Sequence, residues 1–286
     1  MAGSLFDMAA EALRRGDAVT ARALLERAGG EGELRAAVAA NNFLAAGVGG
    51  ARDWPAALAR LRELAKTDGR SARELALVEK MALTEKGDPG VTPRGEPVCE
   101  RPRVVRFPAL LTTEECRYLA EAAQPMLAPA VVVDPATGRQ RPDPVRVAES
   151  VGFTAPLENL AVHALNRRFA AVSGTSPEQG EPLQILRYRP GGEYRAHYDA
   201  LPGLDNQRVM TLLVWLNDGF LGGETAFPAA KAAMRGAPGD AILFVNAQAD
   251  GGPDPASAHA GLPVREGEKW MASRWIRARH FEPLTA

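Results

Sequence analysis

A cluster of proline and glycine between residues 87 and 97 divides this chain of 286 residues into two parts with opposite hydrophobic rhythms. Such a cluster halts helix, because proline lacks the backbone N–H and both residues favour turns. Before it, the sequence is rich in Ala, Leu, Arg and Glu. Apolar residues there recur at helical spacing, as in Leu5, Met8, Ala9, Ala12 and Leu13, then Ala21, Leu24, Leu25 and Ala28. Each run places one apolar stripe along a helix. Breaks at Gly16-Asp17, Gly29-Gly30, Gly47 to Gly50 and Asp68-Gly69 separate about five short helices. Asp17, Ala21 and Leu25 return as Asp53, Ala57 and Leu61, a shift of 36 residues from 17 to 53. That period is close to tetratricopeptide-like helix pairs; a plain helical bundle is the other reading.

Beyond the cluster the rhythm changes. A strand is expected at 104–107, a helix opened by Thr112 or Thr113 and running to Ala123, a strand at 131–133 and a helix at 157–172. From 183 onward short strand candidates alternate with turns, at 183–188, 194–198, 209–216, 224–227, 241–246, 259–263 and 270–278. Short strands at this density imply a sandwich or barrel. The expected class is therefore α+β: an all-α module at 1–87, a linker at 88–102, and a double-stranded β-helix, or jelly roll, with flanking helices at 103–286.

Lys plus Arg number 34 against 35 Asp plus Glu, for a net charge of -1, so no basic field recruits nucleic acid or an anionic membrane surface. No apolar run approaches the roughly 20 residues that cross a bilayer, and Asp7 and Glu11 interrupt the first 15 residues, unlike a signal peptide. Two cysteines, Cys99 and Cys116, are too few for a disulfide framework. The expectation is a cytoplasmic protein with neither a nucleic-acid nor a membrane partner.

The chemistry gathers around His197-Tyr198-Asp199. Residues two apart on an extended strand point to the same side, so His197 and Asp199 can grip one ion. His259 lies on a later strand. Of the four histidines, His163 falls in a predicted helix and His280 in an Arg-rich end, so both read as structural or surface residues. Two imidazoles and a carboxylate hold one face of a metal and leave the others open, the pattern of non-haem iron(II) oxygenases. Zinc hydrolases use a similar set, but their helical His-Glu-x-x-His is absent here.

The residues 184–199, reading QILRYRPGGEYRAHYD, together with GGETAFP at 222–228, GDAILF at 239–244, HAGLPV at 259–264 and GEKW at 267–270, resemble the prolyl 4-hydroxylase branch of the iron(II)/2-oxoglutarate-dependent dioxygenases. The resemblance spans about 103–281 and leaves out the N-terminal helices. It implies that His197, Asp199 and His259 are the iron ligands and that Lys269 pairs with the far carboxylate of 2-oxoglutarate. It also implies that Tyr188 hydrogen-bonds that carboxylate, and that Tyr194, Arg208 and Trp270 line a groove for a peptide. Gly222 and Gly223 read as a tight turn. Iron(II), 2-oxoglutarate and oxygen are the implied requirements, with ascorbate as a candidate reductant. The implied reaction is hydroxylation of an unactivated C–H bond, foremost C4 of a prolyl residue in a peptide or protein. Two alternatives stay open: the same chemistry on a free amino acid or other small metabolite, and a catalytically silent interaction protein. The N-terminal helices are expected either to form a homodimer or to dock substrate.

Overall fold

A computed structural model describes residues 4–133, 140–142, 145–201 and 203–281. In chain order its regular elements begin with α1 (Leu5–Arg14), α2 (Ala18–Gly30), α3 (Leu34–Ala46), α4 (Trp54–Leu64) and α5 (Gly69–Val78). There follow β1 (Glu96–Glu100), β2 (Arg103–Phe107), α6 (Thr113–Ala123), β3 (Ala128–Pro129), β4 (Val131–Val133), β5 (Gln140–Pro142), β6 (Arg146–Val147), β7 (Glu149–Phe153) and α7 (Leu160–Ser173). The remaining strands are β8 (Leu183–Tyr188), β9 (Glu193–His197), β10 (Arg208–Trp215), β11 (Phe220–Gly222), β12 (Thr225–Phe227), β13 (Ala232–Met234), β14 (Ala241–Val245), β15 (His259–Gly261), β16 (Val264–Gly267) and β17 (Lys269–Arg277). They form two compact units, one from 4–92 with 153–177 and the other from 93–152 with 178–281. Among the described residues no helix is long and apolar enough to cross a membrane.

The first unit is helical, and its helices start where short acceptors meet orphan N–H groups. Asp17, Asp53 and Asp68 accept from the backbones of Thr20, Ala56 and Ser71, and Ser4 with Asp7 forms a capping box. The echo at 36 residues has a physical counterpart. Asp17 and Asp53 occupy the same capping position on α2 and α4, and the paired Ala21/Ala57 and Leu25/Leu61 are all buried. Small residues let the helices approach closely: a Cβ on Gly29 would stand 2.8 Å from the Cα of Ala37.

Helix α7, expected beside the jelly roll, belongs instead to this helical unit. Its run of buried residues from Leu160 to Asn166 covers more than one face, so it needs cover from several directions. The α5 residue Glu74 accepts from the backbone N–H of Leu160 at 2.8 Å. Asn42 on α3 donates to the carbonyl of Pro156 at 2.9 Å. Arg167 pairs with Asp88. His163 is structural, with Nδ1 2.7 Å from Glu158.

The second unit is a double-stranded β-helix. An eight-stranded sheet runs β1-β2-β14-β10-β17-β8-β7-β3, and a five-stranded sheet runs β13-β12-β15-β9-β6. One core cluster combines Trp215, Phe220, Phe227, Phe244, Val264 and Met271. Alternation delivers this: successive strand residues face opposite sides, and one side of each sheet is apolar. The segment 88–102 is not wholly a linker. Residues 96–100 form β1 at the edge of the large sheet, with a bulge between Pro97 and Cys99. Proline cannot donate to a ladder, so an edge is where such a strand can sit. Helix α6 starts at the Thr112–Glu115 capping box. Cys99 and Cys116 are free, and burial pushes the Cys116 thiol up to about 12.

Candidate active site

Sheet register builds the site. Strands β9 and β15 pair antiparallel with His197 directly opposite His259, and Asp199 follows two residues after His197. Residues 62 positions apart in sequence thus become cross-strand neighbours, and the ligand atoms of His197, Asp199 and His259 all lie within 4.8 Å of one another. Nε2 of His197 is 3.5 Å from Oδ1 of Asp199, and Nε2 of His259 is 3.6 Å from Oδ2.

The main chain orients both rings. Nδ1 of His197 lies 2.7 Å from the carbonyl of Arg195, and Nδ1 of His259 lies 3.0 Å from that of Ser257. A carbonyl can only accept, so each ring carries its proton on Nδ1 and turns the Nε2 lone pair inward. Nε2 of His197 is buried and has no hydrogen-bond partner. A buried, unpaired acceptor aimed at another imidazole and a carboxylate is costly unless a cation completes it. The donor set therefore fits a divalent metal held on one face, and its two nitrogens and one carboxylate suit iron(II).

Electrostatics agree with the geometry. Burial alone would raise the Asp199 carboxyl; positive charge on His259 and His197 when those rings are protonated, together with the Thr211 hydroxyl, outweighs it and holds Asp199 well below the usual range, and a cation bound between the rings would act in the same sense. Burial lowers His259, against the pull of Asp199, and so favours the neutral ligating form. The rings of Phe227 and Phe244 pack against His259 at 5.7 and 4.6 Å between centroids. They keep that side dry.

A cavity of about 40 Å³ opens beside the triad. Along β17, the alternate residues Lys269, Met271, Ser273 and Trp275 face it; β8 adds Leu186 and Tyr188. Lys269 is 3% exposed. Its Nζ donates to the carbonyl of Gly223 at 2.6 Å, and it lies 5.4 Å from the ring centre of Tyr188, its partner in register. Burial lowers its ammonium to about 8, partly offset by Glu224. Among the described residues no carboxylate pairs with it. A buried cation in this position is matched to an anionic ligand. Gly222 and Gly223 both have left-handed φ, at 75° and 69°, which supports the tight turn that brings the Gly223 carbonyl to the lysine.

The expected groove residues separate. Tyr194 lines the cavity and stacks on His197, with centroids 3.5 Å apart and planes at 16°. The Arg146 guanidinium lies 5.2 Å from its ring centre. Arg208 and Trp270 are not brought to the cavity. Arg208 makes two hydrogen bonds to Glu181, at 2.6 and 2.9 Å, and stacks on Trp275 at 3.9 Å. Trp270 follows Lys269, so strand alternation turns it to the opposite face, where Arg187 lies over it at 5.4 Å. The aromatic wall on this strand is Trp275 instead. Counting in twos from Lys269 would have found it. Thr211, which donates to Asp199 Oδ2 at 2.6 Å, carries no comparable signal in the sequence.

The fold and triad define a 2-oxoglutarate/iron(II) oxygenase, and the comparisons with known proteins agree. Residues 183–277 match the model of the 2OG-Fe(II) oxygenase superfamily. Prolyl 4-hydroxylase 1 of Arabidopsis thaliana is 35% identical over 203 residues, covering 64% of this chain and 72% of the relative. Prolyl 4-hydroxylase 5 of the same plant is 32% identical over 211 residues, covering 65% and 72%. Among solved structures, the viral collagen prolyl hydroxylase of Paramecium bursaria Chlorella virus-1, in its 2-oxoglutarate complex, superposes with a TM-score of 0.51 at 29% identity, covering 64% of this chain and 99% of that one. The chain belongs to the prolyl 4-hydroxylase family of iron(II)/2-oxoglutarate-dependent dioxygenases.

Proposed function

We propose that this enzyme hydroxylates C4 of a prolyl residue within a peptide or protein. The observation that carries the reading is the Tyr194 ring, stacked on His197 and lining the cavity beside the ligand set. A flat aromatic face next to the oxidising centre suits a compact pyrrolidine ring, which packs on it without a polar partner. The prolyl substrates named for its relatives support the same class.

His197, Asp199 and His259 would hold iron(II). When bound, the metal with 2-oxoglutarate and oxygen supplies the oxidising chemistry that turns 2-oxoglutarate into succinate and carbon dioxide and a C–H bond into C–OH. The chain's own work is placement. Lys269 neutralises the far carboxylate of 2-oxoglutarate while Tyr188 walls the same end. The Nδ1 contacts to Arg195 and Ser257 keep both imidazoles aimed, with Nε2 turned inward. Phe227 and Phe244 exclude water from His259, and Tyr194 orients the prolyl ring. Free Cys99 and Cys116 support a reducing, cytoplasmic setting.

The test is incubation of the protein with iron(II), 2-oxoglutarate and a panel of proline-containing peptides, with free proline as a separate arm. Succinate release matched by a mass gain of one oxygen on a peptide is the expected outcome. Oxygen incorporated into free proline alone would move the assignment to a metabolite hydroxylase.

A further inference from the structure

Asn246 follows directly on β14 and is fully buried. Its Nδ2 donates to Thr211 Oγ1 at 2.7 Å, and the Thr211 hydroxyl donates to Asp199 Oδ2 at 2.6 Å. A hydroxyl has one proton. With that proton directed at the carboxylate, its oxygen can only accept from the amide, so the direction of the relay is set. The main chain of Asn246 reaches toward the other side of the site. Its carbonyl accepts from Ser257 Oγ at 3.3 Å and from the Asp254 N–H at 2.8 Å, and the Ser257 carbonyl in turn holds Nδ1 of His259.

The other end of the Asn246 amide, Oδ1, is buried without a hydrogen-bond partner. A buried unpaired acceptor costs stability, and an apolar residue would fill the same space without that cost. The side chain is therefore explained by what Nδ2 does. We propose that Asn246 is a positioning residue for the metal centre: through Thr211 it occupies Oδ2 of Asp199 and leaves Oδ1 as the one oxygen offered to the ion. A carboxylate that ligates through one oxygen leaves more of the metal's coordination sphere for 2-oxoglutarate and oxygen than one that chelates. The inference rests on the iron reading of the triad and is independent of the prolyl substrate.

The experiment is anaerobic titration of the full-length protein with iron(II), without any peptide, for the parent, Asn246→Ala, Thr211→Val, the double variant and Thr211→Ser, each with a thermal melt. Loss of such an outer partner typically weakens metal binding by roughly 10- to 100-fold. Asn246→Ala and Thr211→Val should each raise the iron Kd by about that factor, while Thr211→Ser, which keeps the hydroxyl, stays near the parent. The double variant should bind no more weakly than the weaker single one, because both act through one relay. Unchanged iron affinity in Asn246→Ala, or losses that multiply in the double variant, would overturn the proposal. If Asn246→Ala does not fold, Asn246→Ser takes its place in the same cycle. Tight iron binding with no activity on any prolyl peptide would sink the substrate assignment and leave this inference standing.

Discussion

Lys269 is an ammonium buried at 3% exposure with a carbonyl and an aromatic ring for company, and its chemistry dominates at the scale of single residues. A charge-assisted contact in such a place contributes roughly 1.5–3 kcal/mol. Lys269→Ala should therefore raise the KM for 2-oxoglutarate by about 10- to 100-fold, measured by succinate release, with little change in peptide KM. Burial lowers this lysine to about 8, below its ordinary value. Above that pH the free enzyme loses the positive charge, so 2-oxoglutarate affinity, followed by titration, should weaken as pH rises through about 8. The same depression means the unfolded chain binds more protons between about 8 and the ordinary lysine range, so this residue's destabilising effect fades as pH rises there. Tyr194→Ala is the complementary change. It should raise peptide KM while leaving 2-oxoglutarate KM unaltered, and an equal rise in both would contradict its place against the prolyl ring.

Elements show their own dependence on buried polar groups. Glu74 on α5 caps the first turn of α7, accepting from Leu160 and Ala161, and burial pushes its carboxyl up to about 7. A carboxyl raised in the folded state contributes stability that is present below its unfolded pKa and is lost as pH rises through the folded value. Melting of the helical unit, followed by circular dichroism, should fall between pH 4.5 and about 7, and Glu74→Gln should flatten that dependence. In the β unit, Phe227 is fully buried between Phe244 and His259. Phe227→Ala leaves a cavity costing about 3–5 kcal/mol. A melting temperature lowered by several degrees is the expected result, together with weaker iron binding because His259 loses its packing.

For the whole molecule, iron(II) and 2-oxoglutarate bind the folded β unit, so each should raise its melting temperature. Linkage gives about 2.7 kcal/mol at a ligand concentration of 100 times Kd. In calorimetry the shift should appear with 2-oxoglutarate present and shrink in Lys269→Ala; an equal shift in that variant would argue against Lys269 as the anchor. The iron-dependent part should vanish in His197→Ala.

Much of this design is readable in the chain itself. Local periodicity placed the helices of residues 4–86 and most strands of the second unit, because a helix and a strand each repeat their apolar side at a fixed interval. The His-x-Asp pair needed only the two-residue period of a strand, and the motif spacing added His259 and Lys269. What only the tertiary structure decided depends on partners far away in sequence. It assigned α7 to the helical unit, since an apolar helix does not declare which surface covers it. It turned Trp270 away and Trp275 inward, because facing depends on where β17 begins its alternation within the sheet. It joined Asn246 and Thr211 to Asp199 across 35 and 12 residues. No spacing rule announces a hydrogen-bond relay between strands; it exists only once the strands are paired in register.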